Sequence, residues 1–186
     1  MILLVGLGNP TPDSNDNRHN VGFKIIDAIN QKFGLSKQKP KFKGLLTTGT
    51  ISNKKVYAIK PLTFMNNSGI CIRELMEYFK INIDDVIVFH DDLDVDFGKI
   101  KAKFGGSSAG HNGIESIDKF IGKEYSRVRV GIGKPDKKVS VSDYVLNNFN
   151  DEEKTQLDQI TINIIDSIPI LIDKKLDLFS STMNNK

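Results

Sequence analysis

The sequence predicts an α/β protein, a single three-layer α/β/α domain around a mixed, mostly parallel sheet. Three observations carry that prediction. Apolar runs at residues 2–7 (Ile-Leu-Leu-Val-Gly-Leu) and from Val86 to Phe89 read as strands covered on both faces. Segments with apolar residues at helical spacing alternate with these strands. The 186 residues suffice for one large core, whereas the 36 residues from Asp151 onward are too few for a second. The domain is therefore expected to span residues 1–186, with residues 151–186 a helical tail packed on it.

In chain order, residues 2–7 form the first strand. A helix follows from about Asn20 to Phe33, with Ile26, Ile29 and Phe33 on one face and Gly34 as its stop. Residues 45–51 and 55–60 make a hairpin around Ser52-Asn53-Lys54, closed by Pro61. Ser68 is the expected N-cap of a second helix, in which Ile72, Leu75, Met76 and Phe79 take core spacing. Strands at Val86 to Phe89, 98–104 and 125–132 complete the sheet, and Ile114, Ile117 and Ile121 share one face of a helix between the last two. The tail is mostly helical, with an interruption at Pro169.

Composition narrows the function classes. With 39% apolar and 26% charged residues, the chain is not a disordered one. One cysteine, Cys71, excludes a disulfide framework and a thiolate zinc cluster. Apolar runs are too short to span a membrane, and the amino terminus lacks the basic and apolar regions of a secretory signal. A reduced, cytoplasmic protein is expected. The net charge of +3 is uneven: residues 151–186 hold seven acidic and four basic side chains, leaving residues 1–150 at +6. That asymmetry suits an anionic partner.

Polar residues collect where the buried strands end. The first strand runs into Gly6-Leu7-Gly8-Asn9-Pro10, and the central one into His90-Asp91-Asp92. Open α/β sheets bind ligands beyond the carboxyl ends of their strands, so Asn9 and Asp91 are expected to face one crevice. Each alone is an ordinary turn former; the pair points to a site. His19 and His111 both stand at helix starts, where the dipole opposes a positive imidazole and favours the neutral form a general base needs. Residues 105–113 are a loop of small residues whose backbone can approach a ligand or move as a flap. Before it, Lys99, Lys101 and Lys103 alternate along a strand, as do Arg127 and Arg129 after it. Two such basic faces suit phosphate as well as they suit a solvated sheet surface.

Three other patterns fail on inspection. Gly6-Leu7-Gly8 lacks the third glycine of a dinucleotide loop, with Thr11 in its place. Gly106-Ser107-Ser108-Ala109-Gly110 matches a nucleophile elbow, but the only later histidine, His111, is three residues from Ser108. His90, Asp91 and Asp92 with His19 and His111 lack helical metal-ligand spacing.

Six motifs, in order, resemble bacterial-type peptidyl-tRNA hydrolase: Gly6-Leu7-Gly8-Asn9-Pro10, Arg18-His19-Asn20-Val21-Gly22, Thr63-Phe64-Met65-Asn66-Asn67-Ser68-Gly69, His90-Asp91-Asp92-Leu93-Asp94, Gly110-His111-Asn112-Gly113 and Arg127-Val128-Arg129-Val130-Gly131-Ile132-Gly133. The first departs from the family's usual pattern, which continues with glycine and carries a tyrosine a few residues on; Thr11 and Ser14 stand there instead. The resemblance implies an esterase that releases peptide from the 3′ CCA end of tRNA without metal or other cofactor, working as a monomer. It implies that His19 is the general base and Asp91 its orienting carboxylate. Asn9, Asn66 and Asn112 would position peptide, water and the developing oxyanion, with Phe64, Met65 and His111 lining the substrate channel. Lys103 and Arg129 would clamp the tRNA 5′ phosphate.

Overall fold

The computed structural model describes residues 1–185. Seven strands form one sheet: β1 (Ile2–Gly6), β2 (Lys39–Lys41), β3 (Gly44–Ile51), β4 (Lys54–Pro61), β5 (Val86–Asp92), β6 (Ile100–Phe104) and β7 (Ser126–Gly131). Their spatial order is β2-β3-β4-β1-β5-β7-β6. The central run β4-β1-β5-β7 is parallel, while β3 and β6 run against their neighbours. Because β2 is antiparallel to β3, it shares the central direction, so five of the seven strands point one way. The sheet is mixed and mostly parallel, as its buried runs predicted.

Helices cover both faces. α1 (Val21–Lys32) packs on one side together with α4 (Val141–Leu146), α5 (Asp151–Asp166), α6 (Ile168–Ile172) and α7 (Leu176–Asn184). Ile164, Ile168, Leu171 and Phe179 of the tail share a single apolar cluster with Ile25, Ile29, Leu4 and Val128. α2 (Ser68–Phe79) and α3 (Asn112–Ile121) cover the other face, where Ile72, Leu75 and Ile117 meet Leu3, Val5 and Val88. Alternation along β1 and β5 thus feeds both cores. No helix among the described residues is long and apolar enough to cross a membrane.

Several boundaries differ from expectation for local reasons. Ser68 is the first residue of α2 and not a side-chain cap; its Oγ donates to the Met65 carbonyl at 2.9 Å. The tail breaks at Ser167, and Pro169 sits in the first turn of α6, where its missing N–H is tolerated. The β3–β4 hairpin turns on Ser52 and Asn53, both at positive φ (51° and 63°), the two-residue geometry that matches strand twist. Strand β2 and helix α4 carry no pattern that announced them.

Two glycines bring the layers to contact distance where the site lies. A Cβ on Gly6 would strike the carbonyl of Gly22, and one on Gly22 would strike the backbone of Leu7 and Phe89. The start of α1 therefore rests on the backbones of β1 and β5, which sets His19 beside Asp91.

Candidate active site

Beyond the carboxyl ends of β1 and β5 lies a cavity of about 670 Å³. Asn9, His19, Asp91, His111, Asn66 and Asn112 all line it, and so do Phe64 and Met65. Five separate segments of the chain thus converge where parallel strands end, at the position the strand order reverses around β1.

Asp91 is the centre of the arrangement. Its carboxylate is buried and accepts from the Nδ1 of His19 at 2.9 Å and from the Nε2 of His111 at 2.8 Å. His111 caps α3: its Nδ1 accepts the backbone N–H groups of Gly113 and Ile114 at 3.1 and 3.2 Å. The imidazole nitrogen facing those donors carries no proton, so the Nε2–H points at Asp91. His19 in turn donates its Nδ1–H to Asp91, leaving Nε2 with no protein partner among the described residues. Burial alone would push the Asp91 carboxyl up, but the two histidines, by charge and hydrogen bond, hold it well below the usual carboxylate range. Burial likewise disfavours a charged His19, yet the Asp91 charge and hydrogen bond outweigh it and raise the His19 pKa above the ordinary histidine value.

His90, next to this pair, plays a different part. Its Nδ1 donates to the Asp91 carbonyl at 2.8 Å, and burial, then the neighbouring His111, push its pKa down to about 3. It stays neutral and fixes the backbone under the carboxylate. One ligand atom each from His19, Asp91 and His111 lie within 4.8 Å of one another, near enough for one cation, and Nδ1 of His19 and Nε2 of His111 are each hydrogen-bonded to the Asp91 carboxylate. Ser108 lines the cavity, yet its Oγ makes no hydrogen bond to a histidine among the described residues, which leaves the elbow reading without a base. Cys71 is no nucleophile either: burial, then Glu74, push its thiol up to about 12.

The amides are held unequally. Asn9 Oδ1 accepts the Met65 N–H at 2.9 Å, which joins the loop after β1 to the 3-10 turn Met65–Asn67 and leaves only its Nδ2 for a ligand. Asn66 and Asn112 make no side-chain hydrogen bond to protein among the described residues. Met65 is buried against Gly113, and Phe64, at φ +59° and 54% exposed, stands at the cavity rim. Thr11 and Ser14, the two departures in the first motif, bond each other Oγ1 to Oγ at 2.7 Å and close that loop locally.

Two residues of the site escaped the sequence reading as supports. Asn20 grips the Asn9 backbone with both ends of its carboxamide, each at 2.9 Å; its only signal was adjacency to His19. Arg18 lies over the Tyr144 ring at 4.2 Å, pairs with Glu153 at 3.2 Å and donates to the Tyr144 carbonyl, tying the His19 turn to the α4 wall of the cavity.

At the β6–β7 edge, the predicted equivalence of the arginines fails. Arg127 is fully buried, donates to Asp118 and to the Ser107 carbonyl at 2.9 Å each, and stacks on Tyr125. It is a structural anchor that pins the small-residue loop. Arg129 is partly exposed and bonded through Nε to Asp92 at 2.8 Å. Lys103 pairs with Arg127 in register and has no carboxylate at ion-pair distance among the described residues. Burial, then Arg129 and Arg127, lower its pKa, so the edge holds surplus positive charge.

With this geometry in view, the comparisons with known proteins agree. The sequence profile of the peptidyl-tRNA hydrolase family matches residues 3–186. A peptidyl-tRNA hydrolase of Pelagibacter ubique is 78% identical over 186 residues, covering 100% of both chains. Another, from Geobacillus kaustophilus, is 47% identical over 168 residues, 90% of each chain. The crystal structure of peptidyl-tRNA hydrolase from Acinetobacter baumannii superposes with a TM-score of 0.92 at 32% identity, over 99% of this chain and 94% of that one.

Proposed function

From the premise that the chain belongs to the peptidyl-tRNA hydrolase family, and so is a hydrolase of the ester bond of peptidyl-tRNA, we propose that His19 is its general base and Asp91 the group that orients it. The observation carrying this reading is the direction of the His19 ring. With Nδ1–H committed to Asp91 at 2.9 Å, Nε2 is an unprotonated acceptor on a residue lining the cavity.

The steps follow from that orientation. Nε2 takes a proton from water as its oxygen attacks the ester carbonyl, and Asp91 stabilises the imidazolium that forms. Charge builds on the former carbonyl oxygen, where amide donors act: the Nδ2 of Asn9 and the side chains of Asn66 and Asn112. Collapse breaks the bond to the ribose oxygen, which takes the proton back from His19. The products are a free peptide acid and tRNA with an intact 3′ hydroxyl. Phe64 and Met65 shape the channel for the CCA end, and His111 holds the far side of Asp91.

Lys103 and Arg129 supply the clamp for the tRNA 5′ phosphate, a dianion suited to that surplus charge. The proposed enzyme acts as a monomer in the cytoplasm, where it recycles tRNA during translation, as its membership of the family suggests. The direct test is peptidyl-tRNA hydrolysis by a folded His19→Ala protein. Its kcat should fall by about 10²-fold or more; near wild-type turnover would remove the mechanism.

A further inference from the structure

We propose that Asp92 is the positioning residue of the phosphate clamp, fixing the Arg129 guanidinium so that the enzyme selects a terminal 5′ phosphate over other anions. The inference rests on the reading of Lys103 and Arg129 given above.

Asp91 and Asp92 are consecutive on β5, and strand alternation sends them to opposite faces. Asp91 meets the histidines; Asp92 turns to Arg129, whose own residue pairs with His90 in the parallel ladder. One Asp92 oxygen accepts Arg129 Nε at 2.8 Å, and the other accepts the Asp94 N–H at 2.8 Å. The carboxylate is thus anchored in the turn after β5 before it holds the arginine. Its side chain is 11% exposed, against 21% for Arg129, so the pair sits at the edge of solvent with the carboxylate on the inner side.

A guanidinium held through Nε keeps its plane and leaves both Nη groups for a second partner, the fork that matches two phosphate oxygens. Arg129 makes no hydrogen bond through Nη among the described residues, whereas Arg127, two residues earlier, spends both Nη groups on Ser107 and Asp118. The charges are consistent with selection. Asp118 neutralises Arg127 and Asp92 neutralises Arg129, so the net positive charge of the edge comes from the β6 lysines Lys101 and Lys103. A neutralised arginine attracts a singly charged phosphodiester weakly. A terminal phosphate near −2 offers more charge and three free oxygens, and rewards a fork already set in place.

The test compares kcat/KM for two peptidyl-tRNAs identical except for a 5′ phosphate or a 5′ hydroxyl. Because each ratio is taken on one enzyme, damage common to both substrates cancels. Wild type should prefer the phosphate. Asp92→Ala should lower that preference by about tenfold through KM, the scale of one charge-assisted hydrogen bond. In an Arg129→Ala background the same change should lower it no further, because Asp92 acts through Arg129. An unchanged preference in Asp92→Ala would overturn the inference. So would an equal loss from Asp92→Ala with and without Arg129. Absence of any 5′-phosphate preference in wild type would overturn the clamp reading itself, and this inference with it.

Discussion

The cavity corner at His19 and the β6–β7 edge, whose Lys103 and Arg129 lie outside the cavity lining, are built differently. At the His19 corner the polar atoms around Asp91 are spent on one another: Nδ1 of His19, Nε2 of His111 and the carbonyl contact of His90 all fix one buried carboxylate. At the β6–β7 edge, Arg129 and Lys103 are partly exposed, and Lys103 has no acidic partner at ion-pair distance among the described residues. The corner sacrifices adaptability for geometry, which a proton transfer needs. The edge keeps unspent charge, which suits the polyanion proposed to bind there. Damage to the first should therefore appear in kcat, and damage to the second in KM.

Arg127 and Arg129 offer the sharpest way to break that division, since they lie on one strand face. Arg127→Ala removes a fully buried guanidinium, leaves the part-buried Asp118 carboxylate with only the Tyr125 hydroxyl, and should cost about 3–5 kcal/mol of stability, read from urea midpoints. Arg129→Ala, at a partly exposed pair, should cost about 1 kcal/mol or less. Equal losses would mean that the edge is as structural as the corner. Next in size, Lys103→Ala should raise KM for full-length peptidyl-tRNA by about tenfold at constant kcat, the scale of one phosphate contact. A fall in kcat instead would place Lys103 with the chemistry. A smaller effect is expected in salt: the log–log slope of tRNA binding should flatten by about 0.7–0.9 for that variant, as one phosphate contact is lost. An unchanged slope would deny Lys103 that contact. Chelator treatment should have no effect, because in the only candidate cation cluster among the described residues both histidines already hydrogen-bond the Asp91 carboxylate and the proposed chemistry uses a free imidazole nitrogen. Loss of activity restored by added zinc would make the corner a metal centre.

What the sequence made legible follows the same division. Strands β1 and β5 and helices α1 to α3 carry strong local patterns, and their ends brought Asn9, His19 and Asp91 together on paper. Strand β2 was not legible, since Lys39-Pro40-Lys41 has no alternation and exists only by pairing with β3. Helix α4 has just six residues, and its neighbourhood is held by Arg18 bonding a carbonyl 126 residues away. The arginines show the limit best. Period two put Arg127 and Arg129 on one face correctly, but only the packing of α3, which brings Asp118 to Arg127, separates the buried anchor from the partly exposed arginine. The grip of Asn20 on Asn9 was hidden for the same reason: a side chain reaching a backbone eleven residues away leaves no periodic trace.

The central claim, that a neutral His19 held by Asp91 takes the proton from water, is tested most directly by the pH profile of kcat/KM. Burial lowers the His19 pKa, but the Asp91 charge and hydrogen bond raise it above the ordinary 6.5. A base works only when unprotonated, so activity should rise with pH, reach half its plateau above 6.5, and be lost as pH falls through that point. In Asp91→Asn the raising charge is gone while the burial remains, so the midpoint should move to lower pH and the plateau should drop. A profile flat through this range, or a midpoint that Asp91→Asn leaves in place, would contradict the account.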